Sequence, residues 1–222
     1  MNNKLLIKFP TRGRMIKFFK VLDLYYSNIE DIENTHFLIS CDIEDKSMNN
    51  GMVKSKLSKY KNLTVKYSNN KSKIEAINNN LNDINFDILL LASDDMIPQI
   101  FGFDNIIRNK MKEYYPDNDG VLWFNDGYQG NKLNTLCILG KKYYDRFNYI
   151  YHPSYKSLWC DNEFQDVSIS LNKVQYFDDV IIKHEHQVWT GEKWDEMQIY
   201  NDSFNFVDRN NYYLRKSNNF KN

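Results

Sequence analysis

The sequence predicts an α/β fold with a mixed, mostly parallel central sheet flanked by helices, and three observations carry that reading. Strand-like and helix-like segments alternate three times before a fourth strand, the order of parallel strands joined by right-handed crossovers. The fourth strand, Ile88-Leu89-Leu90-Leu91, is apolar at every position, as in strands covered on both faces. Directly after it come Ser93, Asp94 and Asp95, at the sheet edge where open α/β folds bind ligands.

The elements follow in order. Residues 4–9 read as a first strand, broken by Pro10-Thr11-Arg12-Gly13-Arg14. From Met15, the apolar positions Phe18, Phe19, Leu22 and Tyr25 or Tyr26 have the spacing of an amphipathic helix. Residues 36–41 make a second strand ending at Asp42. Met52, Val53, Leu57 and Tyr60 mark a second helix, residues 63–67 a third strand, and Ile74, Ile77, Leu81 and Ile84 a third helix. This N-terminal half, about residues 1–98, is a Rossmann-like nucleotide-binding unit. It lacks a GxGxxG turn and a GxxxxGK(S/T) loop, which disfavours ordinary dinucleotide binding and P-loop phosphotransfer.

The second half, about residues 99–222, is less regular. Residues 100–115 look helical, with Phe103, Ile106, Ile107 and Met111 on one face. Residues 120–125 and 135–139 read as strands joined by a polar loop, and residues 141–147 as a short helix. Residues 149–159 form an aromatic loop, and residues 161–171 a helix with Phe164, Val167, Ser168 and Leu171 inward and Asn172 as a left-handed cap. Two short strands at 174–177 and 180–183 precede His184-Glu185-His186. A helix around Trp194 to Tyr200 and a frayed tail complete the chain. With no flexible linker and no repeat, the 222 residues read as one domain.

Lys+Arg and Asp+Glu both number 29, so the net charge is zero, which argues against a general nucleic-acid binder. Cys41, Cys137 and Cys160 are dispersed and form no CxxC pair, the pattern of buried free thiols in a reducing compartment. The apolar start is too short for a signal peptide and no run has membrane-spanning length, so a soluble, cytoplasmic protein is expected.

Candidate chemistry gathers at element ends. The Pro10–Arg14 turn can place backbone groups against a nucleotide base and Arg14 against phosphate, or be a plain turn with surface arginines. Asp42, with Asp45 nearby, can accept hydrogen bonds from a ribose or a base imide, or cap a loop. Asp94 and Asp95 repel each other unless a cation intervenes, which suggests a divalent metal; the alternative is that Ser93-Asp94-Asp95 caps a following helix. His184 and His186, two apart in extended chain, point the same way. Imidazole with carboxylate suits Mn²⁺, Mg²⁺ or Zn²⁺, and the share of oxygen donors favours the harder ions. Asp161 and Glu163 open a predicted helix, where the dipole keeps a carboxylate ionised; one of them is a candidate general base, or both are first-turn caps.

Taken together, these clusters resemble the GT-A glycosyltransferases, in their inverting, family 2-like branch, over roughly residues 4–200. The matching stretches are residues 7–14, Asp42, residues 70–78, Leu91-Ala92-Ser93-Asp94-Asp95, Asp161-Asn162-Glu163-Phe164, Ile182-Lys183-His184-Glu185-His186, and Trp194-Asp195 with Tyr200. Two departures stand out. The first carboxylate of a strict DxD motif falls on Ala92, which leaves Asp94 or Asp95 for the metal, and the acidic motif is Asp-Asn-Glu. The resemblance implies a GT-A nucleotide-sugar fold and transfer of a sugar, UDP-linked, to a hydroxyl acceptor. Asp95 with His184 or His186 would bind Mn²⁺ or Mg²⁺. Pro10, Thr11, Asp42 and Asp94 would hold the nucleotide-diphosphate sugar. Lys71, Lys73 or Arg14 would meet the phosphates, and Asp161, with Glu163 as alternative, would be the base. Tyr149, Tyr151, Tyr155 and Trp159 would stack on an acceptor sugar. Two other classes share these features: a sugar nucleotidyltransferase, which the single glycine of the first turn disfavours, and a non-catalytic relative that binds nucleotide or carbohydrate.

Overall fold

The computed structural model describes residues 3–82, 84–191 and 193–221. A seven-stranded sheet takes strands from both halves of the chain, in the order β3-β2-β1-β4-β7-β6-β8. Strands β1 (Leu5–Pro10), β2 (Thr35–Asp42), β3 (Leu63–Ser68) and β4 (Ile88–Leu91) are parallel neighbours. Next to β4 lies β7 (Ile138–Gly140), antiparallel both to it and to β6 (Val121–Phe124), and β8 (Val174–Phe177) runs parallel to β6. A separate two-stranded ribbon joins β5 (Met96–Pro98) to β9 (Ile182–His184), with Met96 opposite His184.

Alternation along the strands explains the two cores. Leu5, Ile7 and Phe9 face one layer with Phe18, Leu22 and Tyr25 of α1 (Met15–Asn28) and Phe103, Ile107 and Met111 of α4 (Phe103–Tyr114). Leu6, Leu38, Leu89 and Leu91 face the other, with Ile74 and Ile77 of α3 (Lys73–Asn78) and Phe164 of α6 (Cys160–Ser170). Leu89 and Leu90 are fully buried on opposite faces, so the all-apolar fourth strand is a central strand; each such side chain contributes about 1.5–3 kcal/mol. Lys8 takes a core position on the second face, an exception to the pattern.

Several expectations change. Helix α2 (Gly51–Leu57) buries Val53 and Leu57 but leaves Met52 exposed. Helix α3 stops at Asn78 because Asn79 is extended and Asn80 has a φ of 66°, which leaves Leu81 and Ile84 in the following loop. Leu171 is exposed, since α6 turns it away from the core that holds Phe164. Residues 94–95 form a turn into β5 and not the cap of a helix; the next helix, α4, starts from a left-handed Gly102. After α5 (Lys141–Asp145), α6 and α7 (Gln187–Thr190), the chain forms α8 (Glu196–Asp202) and then α9 (Asn205–Ser217) where a frayed tail was expected. Asp208 of α9 is buried and accepts the N–H groups of Lys156, Ser157 and Leu158 at 2.8–2.9 Å, which pins the helix across the start of α6. All three cysteines are buried free thiols. No described helix is long and apolar enough to cross a membrane.

Candidate active site

The parallel strands β1, β2 and β4 end together, and a cleft of about 480 Å³ opens over their C-terminal ends. Pro10, Thr11, Arg14, Asp42, Lys71, Lys73, Asp94, Asp95, Asp161, His184 and His186 all line it. Residues scattered over some 175 positions therefore meet because each stands at or beside the end of an element that borders the cleft.

Asp42 is held on both oxygens. Asn70 Nδ2 donates to Oδ1 at 2.7 Å and Arg12 pairs with Oδ2 at 2.9 Å. The support continues inward: Asn79 Nδ2 donates to Asn70 Oδ1 at 2.7 Å, and Lys8 Nζ donates to the Asn79 carbonyl at 2.7 Å and to Ser40 Oγ at 2.5 Å. Burial pushes the Lys8 ammonium down to about 7. Lysine in β1, unnoticed in the sequence because strands often carry one on a solvent face, thus braces Asp42 from the core beneath the cleft.

Arg14 is engaged on both sides. It donates to Asp94 Oδ1 at 3.0 Å and to Asp195 Oδ1 at 2.7 Å, and Asp195 also starts α8 through a capping box with Gln198. Arg14, the expected phosphate-binding arginine, thus bridges the turn after β4 and the start of α8 and lines the cleft. Burial raises the carboxyl of Asp94 above its ordinary range, and the nearby Asp95 adds to this while Arg14 opposes it.

Asp95 behaves differently. Burial alone would raise it, but His184, 3.6 Å away at Nε2, and the Ser93 hydroxyl hold it well below the usual carboxylate range. The β5–β9 ribbon makes this pair, because Met96 registers with His184 and the Glu185 N–H bonds the Asp95 carbonyl at 2.7 Å. His186 lines the same cleft but caps α7, its Nδ1 accepting from the Val188 N–H at 3.3 Å. Its ring lies 5.7 Å from that of His184 at 81°, and both residues line the cleft. Burial keeps the His186 imidazole below its ordinary value, the form a metal binds. Among the described residues no three His, Cys, Asp or Glu side chains converge on one point. The donor set of Asp95 and His184 still suits a hard ion that keeps positions for phosphate oxygens.

Asp161 and Glu163, both in the first turn of α6, point to different places. Asp161 lines the cleft, and burial raises its carboxyl above the ordinary value although the Asn162 N–H and Lys73 oppose the shift. Glu163 turns inward. Arg215 of α9 grips it at 2.7 and 2.8 Å and the Tyr155 hydroxyl donates to it at 2.7 Å. Glu163 is thereby committed to fastening α9 and does not line the cleft. Of the aromatic loop, Tyr151 and Trp159 line the cleft; Tyr155 is wholly buried on Glu163, and Tyr149 faces a separate small cavity.

The fold is that of the GT-A glycosyltransferases, α/β with a mixed, mostly parallel sheet. Two solved structures illustrate the likeness. One is the mannosyltransferase PcManGT from Pyrobaculum calidifontis in complex with GDP-Man and Mn²⁺: TM-score 0.67 and 12% identity, over 83% of this chain and 57% of that one. The other is S. aureus TarS 1–349 in complex with UDP-GlcNAc: TM-score 0.68 and 13% identity, over 88% of this chain and 60% of that one. The chain thus spans less than two thirds of either. No protein-family model and no curated protein matches the sequence.

Proposed function

We propose that this chain is a metal-dependent inverting glycosyltransferase that takes a sugar from a nucleotide-diphosphate sugar, of UDP type, to a hydroxyl acceptor. The observation that carries the reading is one cleft lined by a braced carboxylate, Asp42, an ionised Asp95 against His184, and Asp161, its carboxyl raised by burial. The GT-A fold, and solved structures of that fold with GDP-Man and Mn²⁺ or with UDP-GlcNAc, support it.

In this reading Pro10, Thr11 and Asp42 receive the base and ribose, with Arg12 and Asn70 fixing Asp42. Asp94 keeps Arg14 and the α8 segment in place beside the donor. Asp95 and His184, with His186 as a further donor, would hold Mn²⁺ or Mg²⁺. That ion would neutralise charge as the diphosphate leaves. Lys73 adds positive charge from the start of α3; its field reaches both Asp95 and Asp161. Asp161 takes the proton from the acceptor hydroxyl as that oxygen attacks the anomeric carbon. The bond from that carbon to the diphosphate oxygen breaks on the far side, which inverts the centre.

Nucleotide release from a panel of UDP- and GDP-sugars, with Mn²⁺ and with chelator, tests the proposal. Metal-dependent release from at least one donor is the expected result. Release from none, under any metal condition, contradicts it.

A further inference from the structure

We propose that the wall of the cleft beyond Asp161 is an acceptor subsite for an uncharged carbohydrate, built from Trp159, Asn162, Asn201, Asp202 and Asn205. This rests on the transferase reading above and names its second substrate.

Charge is distributed unevenly along the cleft. Its cations, Arg12, Arg14, Lys71 and Lys73, all come from the first half of the chain. Among the described lining residues from position 129 onward, none is lysine or arginine. An anionic acceptor entering there would meet Asp161, which Lys73 offsets in part, and Asp202, an arrangement that disfavours like charge.

What stands there instead suits sugar. Trp159 adopts a left-handed conformation, φ 64°, rare for a bulky residue and worth about 1–3 kcal/mol of strain that the surroundings must hold. Asn205, itself on the cleft wall, and Tyr212 and Arg209 of α9 do so. The indole N–H donates to Asn205 Oδ1 at 2.8 Å, Tyr212 packs 5.5 Å from the ring, and the Arg209 guanidinium lies 5.8 Å from it. Asn205 in turn donates to Asp202 at 3.3 Å. The strained residue sits two positions before Asp161, and both line the cleft. Aromatic ring, amides and carboxylate are the groups that stack on a sugar face and bond its hydroxyls. A second, independent sign is Ser157. It is 2% exposed and lines the cleft, yet its Oγ finds no partner among the described residues. A polar ligand satisfies it.

The test uses the full chain, a responsive donor and Mn²⁺. Cellotriose, maltotriose, mannotriose and chitotriose are compared with poly(glycerol phosphate) and oligogalacturonate as acceptors. At least one uncharged oligosaccharide is expected to raise nucleotide release tenfold or more. Acceleration by the anionic chains alone, or by none of the uncharged sugars, overturns the proposal. A donor-free measurement separates it from the transferase reading: saturation-transfer NMR with the same trisaccharides. Signal is expected with the full chain, and a loss of at least half in Trp159→Phe and in Asn201→Lys, a half-exposed helix position that tolerates lysine. Signal that both substitutions leave unchanged overturns the subsite. Saturation transfer without any donor turnover strikes the transferase reading and leaves the carbohydrate subsite standing.

Discussion

Lys8 shows how much one residue can be asked to do. Its ammonium is buried and reaches Asp42 only through Asn79 and Asn70. A lysine lowered to about 7 in the folded chain binds fewer protons there than in the unfolded chain between about 7 and its ordinary 10.5. Stability from this group therefore rises with pH across that window and is flat below it. The difference in melting temperature between the protein and Lys8→Met should change steadily from pH 7 to pH 10; parallel profiles would count against a titrating Lys8. Asp161, the proposed base, is shifted in the other direction, upward. A general base works only when deprotonated, so with its carboxyl raised by burial the acid limb of kcat/KM should lie above the ordinary carboxylate value of 3.8. Asp161→Asn should lose about 10²–10⁴-fold in kcat. Activity retained in that variant would move the base elsewhere.

At the scale of elements, α6 and α9 act as one unit. Glu163, the other candidate base, is the buried partner of Arg215 and Tyr155. Glu163→Ala should cost about 3–5 kcal/mol by leaving Arg215 unpaired, and denaturant unfolding measures it. The double variant Glu163→Met, Arg215→Met should lose less. The strand ends were legible because each is a short apolar run closed by Pro10, Asp42 or Asp94, and period and punctuation are local signals. The division between Asp161 and Glu163 was not, since it depends on Arg215, 52 positions on. Helix α9 was hidden for a similar reason. Phe206, Val207 and Leu214 are exposed, so its apolar pattern does not mark the docking face; Asp208, accepting three backbone N–H groups, does that work. The histidine pair lines one cleft, but the period of two does not show that His186 leaves the strand to cap α7.

For the whole molecule, the parallel strands deliver the donor-side groups, and the ribbon and the α6–α9 pair bring the rest over them. The groups proposed to touch the donor stand at the ends of several elements, β1, β2 and the β5–β9 ribbon among them, so the site exists only in the assembled fold. Binding of nucleoside diphosphate to that assembly should depend on metal and on Asp95 together. The measurement that tests this most directly is calorimetric titration of UDP and GDP, with Mn²⁺ and with chelator, into the protein and into Asp95→Asn. Binding of at least one nucleotide with Mn²⁺, weakened tenfold or more by chelator and by the substitution, is the result predicted. Binding of neither nucleotide, or binding indifferent to both metal and Asp95→Asn, would contradict a metal-dependent nucleotide-sugar site in this cleft.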